Sequence, residues 1–204
     1  MTRSALPALM HAQDPAEVGR GALVINIFGG PGSGKTTLAS RLFYELKRRD
    51  IEAANPEEHA KLALLAGQGW ILDQQVILVG RAWETLQTLR DQVEVIIMDS
   101  PILLGCVYGQ GREPASFHDL VADLHRRSDR INLMMRRDPS SGYSTHGRRE
   151  SADEAKVVDT RILDTLARTG EVFSETSRDD AEVDALVAAV LQLIQFRRAT
   201  TRAA

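Results

Sequence analysis

Residues 29–36 read Gly-Gly-Pro-Gly-Ser-Gly-Lys-Thr, a run that narrows the possible folds more than any other stretch of the chain. It follows Ala22-Leu23-Val24-Ile25-Asn26-Ile27-Phe28, an apolar segment of strand length. Beyond it, Leu38, Leu42 and Leu46 recur at steps of four through residues 35–49, and Lys47, Arg48 and Arg49 close the segment, as a helix with a basic C-terminal turn would. The letters fit G-x-x-x-x-G-K-[ST] in the strand–loop–helix setting that such a phosphate loop requires. Glycines let successive backbone amides converge on phosphate oxygens, and the helix N-terminus adds the positive end of its dipole. Gly29, Gly30, Pro31, Gly32, Ser33, Gly34, Lys35, Thr36 and Thr37 are therefore the expected nucleotide contacts. Lys35 would reach the terminal phosphates, and the Thr36 hydroxyl would serve Mg²⁺, so ATP and Mg²⁺ are the implied ligands.

The rest of the chain repeats the alternation. A short strand is expected at 51–54, a short helix at 59–66, and a long amphipathic helix from Trp70 to about Gln92, with Leu72, Val76, Val79, Trp83, Leu86 and Leu89 inward. Val93 to Met98 is strongly apolar and ends in Asp99-Ser100-Pro101, which reads as a second buried strand. Three glycines and a proline make 105–115 a loop, and a helix follows at 116–127. Strands are expected at 131–135 and 171–174. Helices are expected from the capping-box pattern Ser151 to Glu154 and around Val183, Val187, Val190 and Ile194. Strands alternating with helices predict an α/β P-loop NTPase fold: a mostly parallel five-stranded sheet with helices on both faces and an arginine-rich flap at 137–150. One domain over 21–196 is expected, between a flexible segment at 1–20 and a flexible basic tail at 197–204.

The 204 residues carry a net charge of -3, which excludes a generally polycationic surface. No apolar run reaches the ~18 residues of a membrane span, and residues 1–20 lack the core of a secretion signal, so the cytoplasm is the expected location. The single cysteine, Cys106, excludes an intramolecular disulfide, and His59, His118, His125 and His146 have no metal-ligand spacing.

Positive charge is concentrated locally. Between 126 and 149 stand seven arginines, no lysine and two acids, a segment of +5 in an otherwise acidic chain. Arginine's planar fork suits phosphate. Arg136, Arg137, Arg148 and Arg149 bracket the flap, with Arg136 expected to bind nucleotide and Arg137 and Arg148 to stabilise the transferring phosphoryl group. Asp99, at the sheet edge beside the loop, is the expected second metal ligand. Glu58 is the expected base for an acceptor hydroxyl, with Asp99 as the alternative. Arg81 is a candidate for an acceptor phosphate; Tyr108 and Tyr143 are candidates for base stacking, whereas Trp70 by default packs in the core.

The runs INIFGGPGSGKTTLASRLFYELK, EEHAKLALL, VIIMDSPILLGCVYG and GYSTHGRRESADEAKVVDTRILDTL together resemble a group of bacteriophage P-loop kinases and predicted ATPases, over about residues 22–194. That group is similar in fold to thymidylate and nucleoside kinases, and some relatives phosphorylate 5-hydroxymethyluracil already built into DNA. Where such families have Glu-Tyr-Ala-Lys, this chain has Glu58-His59-Ala60-Lys61, and Gly147-Arg148 matches the flap. The resemblance implies transfer of the γ-phosphate of ATP to a hydroxyl. Hydroxymethylated DNA is the first acceptor expected, and a free nucleoside or nucleotide, ribosylnicotinamide-like ones included, is the second. The competing reading is an ATPase switch acting through a protein partner.

Overall fold

The computed structural model describes residues 21–109, 111–137 and 151–203, the side chains of 201–203 excepted. Five strands run in chain order as β1 (Leu23–Phe28), β2 (Ala53–Ala54), β3 (Val95–Met98), β4 (Arg130–Met135) and β5 (Ser174–Thr176). They form one sheet in the order β2-β3-β1-β4-β5, with every pairing parallel. The helices are α1 (Lys35–Lys47), α2 (His59–Leu65), α3 (Gln75–Leu89), α4 (Gly105–Tyr108), α5 (Phe117–Arg126), α6 (Ala152–Thr169) and α7 (Asp180–Ala203).

The central strand shows why both faces are covered. Side chains alternate across a strand, so Leu23, Ile25 and Ile27 face one core with Leu38, Leu42 and Leu46 of α1 and Val183, Val187 and Val190 of α7. Val24 and Phe28 face the other core, with Val79 and Leu86 of α3, Val121 of α5 and Val158, Ile162 and Leu166 of α6. All six β1 residues are buried, as a parallel sheet between two helical layers demands. β1 leads through α1 away to β2, whereas β4 lies on its other side. The reversal of strand order therefore falls at the carboxyl end of β1, where ligands of open α/β sheets bind.

Several elements differ from the pattern in the sequence. The long helix expected from Trp70 is a 3₁₀ turn (Gly69–Asp73) followed by α3, and Trp70, expected in the core, is 59% exposed. The expected loop after residue 105 begins with the helical turn α4. Gly105 is there for contact, since a Cβ on it would lie 2.5 Å from Cγ2 of Val79. The strand expected at 171–174 is shifted to β5, because Glu171 turns inward. The stretch 197–204, expected as a flexible tail, continues α7 through Ala203, and Arg197 is buried against Asp129 and donates to the Gly21 carbonyl at 2.6 Å. Cys106 is buried, which pushes its thiol up to about 11.

One polar chain crosses the interior. Asn26 of β1 donates to its register partner Asn132 of β4 at 3.1 Å, and Asn132 donates to Glu171 at 3.0 Å. Arg130 grips the same carboxylate with two bonds of 2.9 Å, and His125 lies 3.5 Å from it. Burial alone would raise the Glu171 carboxyl, but donors from His125 and Arg130 win and hold it far below the usual range. His125 is pushed the other way, down, chiefly by burial. Removing one partner of a buried ion pair leaves the other charge uncompensated, at a cost of about 3–5 kcal/mol. Glu171→Gln should lower the free energy of unfolding by that amount, measured by denaturant titration. A loss below about 1 kcal/mol would show that the pair is dispensable. Because the folded carboxyl is depressed, its stabilisation is complete above the ordinary carboxylate pKa of about 4.3 and is lost as pH falls toward the folded value; the variant should flatten that acid arm.

Candidate functional site

The loop between β1 and α1 is built by backbone geometry. Gly34 takes φ +95, a left-handed conformation, immediately before α1, and the helix start has no side-chain cap. Its first amides are thus left facing the loop, which is the arrangement that receives an anion. The Arg178 side chain lies across Gly34, where a Cβ would come within 2.6 Å of its Cδ.

Lys35 folds back over the loop and donates to the carbonyls of Gly29 at 2.7 Å and Gly30 at 3.2 Å. Its ammonium is pushed below its usual pKa by burial, pulled up by the carboxylates of Glu58, Asp99 and Asp159, and pushed down again by Arg137. Four chain segments therefore converge on one cation. Thr36 Oγ1 donates to Asp99 Oδ2 at 2.8 Å, so the hydroxyl and strand-end carboxylate that the sequence pairs are in contact. Ser33 Oγ is buried with no hydrogen-bond partner among the described residues. Thr37 is exposed one residue further along α1.

Glu58 stands at the N-terminus of α2, just past β2, with its side chain making no cap to that helix. The strand order sets it across β3 from the loop, and its charge is the largest acidic influence on Lys35.

The arginines behave differently from expectation. Arg136 pairs with Glu182 at the start of α7. Arg137 is tied at three points: its Nε to Asp159 Oδ2, Nη1 to the Pro31 carbonyl at 2.9 Å, and Nη2 to the Ala155 carbonyl at 3.0 Å. Arg148 and Arg149, with Tyr143 and His146, lie outside the described residues. Arg81 is exposed on α3, and the His59 ring lies 3.1 Å from Thr85 Oγ1 of the same helix. Among the described residues no cluster of three or more His, Cys, Asp or Glu is arranged to hold a metal, so Mg²⁺ would depend on the pair Thr36 and Asp99.

Two site residues escape the sequence reading. Asp159 of α6 accepts the Gly30 amide at 2.5 Å as well as Arg137, and Arg178 follows β5. The only signal for Asp159 is an acid one turn beyond Ala155 on the helix after the arginine-bracketed stretch. The contact makes Gly30 sterically strict, since a Cβ there would lie 2.5 Å from the Ala155 carbonyl oxygen, which is backbone. Gly30→Ala should destabilise the fold by about 1–3 kcal/mol through overpacking. An unchanged melting temperature would refute this close approach of loop and α6.

Among the described residues no helix is long and apolar enough to cross a membrane. No curated protein matches the sequence. Solved structures of similar fold include the NadR protein in complex with NAD and AMP-PNP, with a TM-score of 0.61 at 16% identity over 84% of this chain and 49% of NadR. The chain thus spans about half the length of NadR. Thymidylate kinase from Ehrlichia chaffeensis matches with a TM-score of 0.53 at 16% identity, over 85% of this chain and 99% of the enzyme. Thymidylate kinase from Candida albicans matches at 0.50 and 18% identity, over 88% and 93%. At these identities the likeness is one of fold. Sequence adds the family: residues 24–183 match the model of the AAA domain, a span that holds the phosphate loop, Asp99 and Asp159, and the chain belongs to the AAA domain family.

Proposed function

We propose that the protein is an ATP-dependent kinase that transfers the γ-phosphoryl group to a hydroxyl of a small nucleoside- or nucleotide-like acceptor. The observation that carries this reading is the Thr36–Asp99 contact beside an intact loop and Lys35, with a second carboxylate, Glu58, approaching from β2. A carboxylate there suits an attacking hydroxyl, whether of an acceptor or of water, and the similar folds, two of them thymidylate kinases, favour an acceptor. The two oxygens, 2.8 Å apart and both hard donors, fit Mg²⁺, and Thr36 and Asp99 would hold it directly or through water. When bound, the ion would offset charge on the β and γ phosphates. The chain's own residues position the reactants: loop amides bind the phosphates, Lys35 orients the terminal ones, and Glu58 accepts the acceptor's proton.

Hydroxymethylated DNA, the first acceptor that the resemblance implies, finds no support in the described part of the basic segment. Arg126, Arg127 and Arg130 stand before or at the start of β4, the end of the sheet opposite the loop; a strand of six residues puts them roughly 17 Å away. Arg130 and Arg126 face Glu171, Arg127 pairs with Asp123, and Arg136 and Arg137 have Glu182 and Asp159. Among the described residues, five guanidiniums set against four carboxylates make a poor surface for a polyanion. The similar NadR structure holds NAD and AMP-PNP together, and two further solved structures of similar fold are thymidylate kinases, which supports a small acceptor.

The test supplies γ-labelled ATP and Mg²⁺ with three acceptors: a mixture of nucleosides and nucleotides, DNA containing 5-hydroxymethyluracil, and unmodified DNA. Label in a small molecule is the expected result. Label confined to the modified DNA would overturn the choice of acceptor. Free phosphate with no labelled acceptor would overturn the kinase and favour the ATPase switch, the reading closest to the AAA domain description.

A further inference from the structure

We infer that Asp159 is a positioning residue: together with Arg137 it braces the first half of the phosphate loop from outside and so sets Lys35 for the terminal phosphates of the nucleotide. This rests on the nucleotide-binding reading of the loop, though not on any choice of acceptor.

The geometry of the brace is specific. One carboxylate spans two partners, with Oδ1 on the Gly30 amide at 2.5 Å and Oδ2 on Arg137 Nε. Arg137 carries the connection onward to the Pro31 carbonyl at 2.9 Å and to the Ala155 carbonyl at 3.0 Å. The Gly30 amide and the Pro31 carbonyl are therefore both tied to the outside of the loop. The Gly29 and Gly30 carbonyls are the two that Lys35 grips. A peptide unit whose amide is fixed on one side presents its neighbouring carbonyl in a fixed direction, because the unit is planar. The Asp159–Gly30 bond thus reaches Lys35 through the backbone.

Charge points the same way. Asp159 favours the charged form of Lys35 and Arg137 opposes it, so the carboxylate offsets the arginine that would otherwise repel the lysine. Charge-assisted bonds that are half-buried, as these are, rigidify what they join. Gly30 is the residue that admits the arrangement, since Arg137 Nη2 and Asp159 Oδ1 both lie within 3 Å of where its Cβ would be. A carboxylate used only to anchor α6 would need no contact with a loop amide. Nor does the geometry suit a competitor for the phosphate, because the amide it takes is already turned away from the Lys35 side.

The experiment measures equilibrium affinity for Mg²⁺–AMP-PNP and for ADP in the wild type, Asp159→Ala, Asp159→Asn, Arg137→Ala and the double alanine variant. Asp159→Ala should weaken AMP-PNP by about tenfold or more and ADP by much less, because the brace acts through Lys35 on the terminal phosphate. Asp159→Asn keeps an oxygen for the Gly30 amide but loses the charge opposite Arg137, so it should fall between the two and serves if the alanine variant fails to fold. The double variant should bind no worse than the poorer single one, the non-additivity of residues acting as a unit. Equal losses for AMP-PNP and ADP, or additive losses, would reduce Asp159 to a structural anchor and overturn the inference. Tighter binding in Asp159→Ala would overturn it in the opposite sense, making the carboxylate a block. Wild-type protein that binds neither nucleotide would sink the nucleotide reading itself, a result distinct from either.

Discussion

Lys35→Met should reduce phosphoryl transfer by about a thousandfold or more while leaving the fold as stable as wild type to within roughly 1 kcal/mol. The rate effect follows from what the ammonium does. In the proposed function it is the group of the phosphate loop that brings a full charge to the terminal phosphates, and a preorganised donor in a water-poor site is worth more than one in solvent. The stability effect follows from its pKa. Burial makes the charged form costly in the folded state, and the three surrounding carboxylates only partly offset this. With the folded pKa lowered, the unfolded chain binds more protons between that value and the usual lysine pKa of about 10.4, so stability rises with pH through that window and the charge is a burden below it. Methionine removes the charge, keeps most of the stem, and gives up the two bonds to the Gly29 and Gly30 carbonyls. Loss of activity with an unchanged melting temperature would identify a residue retained for function, whose buried charge and two loop bonds cancel in stability. Activity within tenfold of wild type would remove the phosphate-loop argument altogether.

What the sequence discloses of this site is what is local. The phosphate loop is a string of adjacent letters, Asp99 is the acid that ends an apolar run, and the Ser151–Glu154 capping box lies within four residues, with both of its bonds present in the structure. Periodicity likewise places most of the helical core positions, Val79 and Leu86 among them, although Val76, expected inward on the same helix, is exposed. The arginine segment shows where this stops. Counting charges along the chain gives +5 for residues 126–149, but apart from Asp123 beside Arg127 the described partners are far away in sequence: Glu171 is 41 residues from Arg130, Glu182 is 46 from Arg136, and Asp159 is 22 from Arg137. An apparent anion surface is thus, in its described part, a set of internal ion pairs. The same holds at the C-terminus, where a basic tail is read from composition, yet Arg197 finds Asp129 across 68 residues and is held as part of a helix. Trp70 fails for the converse reason: its apolar character promises burial, but a 3₁₀ turn before α3 rotates it outward.

Glu58→Gln should lower kcat by about a hundredfold to ten-thousandfold and change ATP affinity by less than about threefold. The isosteric amide keeps the shape at the start of α2 and removes the capacity to accept a proton. The separation of kcat from affinity is the point of the prediction. Glu58 comes from the β2 side, where it influences Lys35 electrostatically, whereas the phosphate loop and Thr36 lie beyond β3. Asp99 is the alternative base, but its Oδ2 already accepts the Thr36 hydroxyl, the place where a magnesium ion would be held. A carboxylate given to a cation is a weaker base, because the ion stabilises its charged form. Asp99→Asn should therefore act differently, raising the Mg²⁺ concentration needed for half-maximal rate as well as lowering kcat. If Glu58→Gln leaves kcat unchanged while Asp99→Asn alone abolishes it, the proton goes to Asp99 and Glu58 is a charge that tunes Lys35. If Glu58→Gln instead raises the KM for acceptor with kcat intact, the side chain binds the acceptor uniformly in ground and transition states, and the base must be sought elsewhere on the β3 edge.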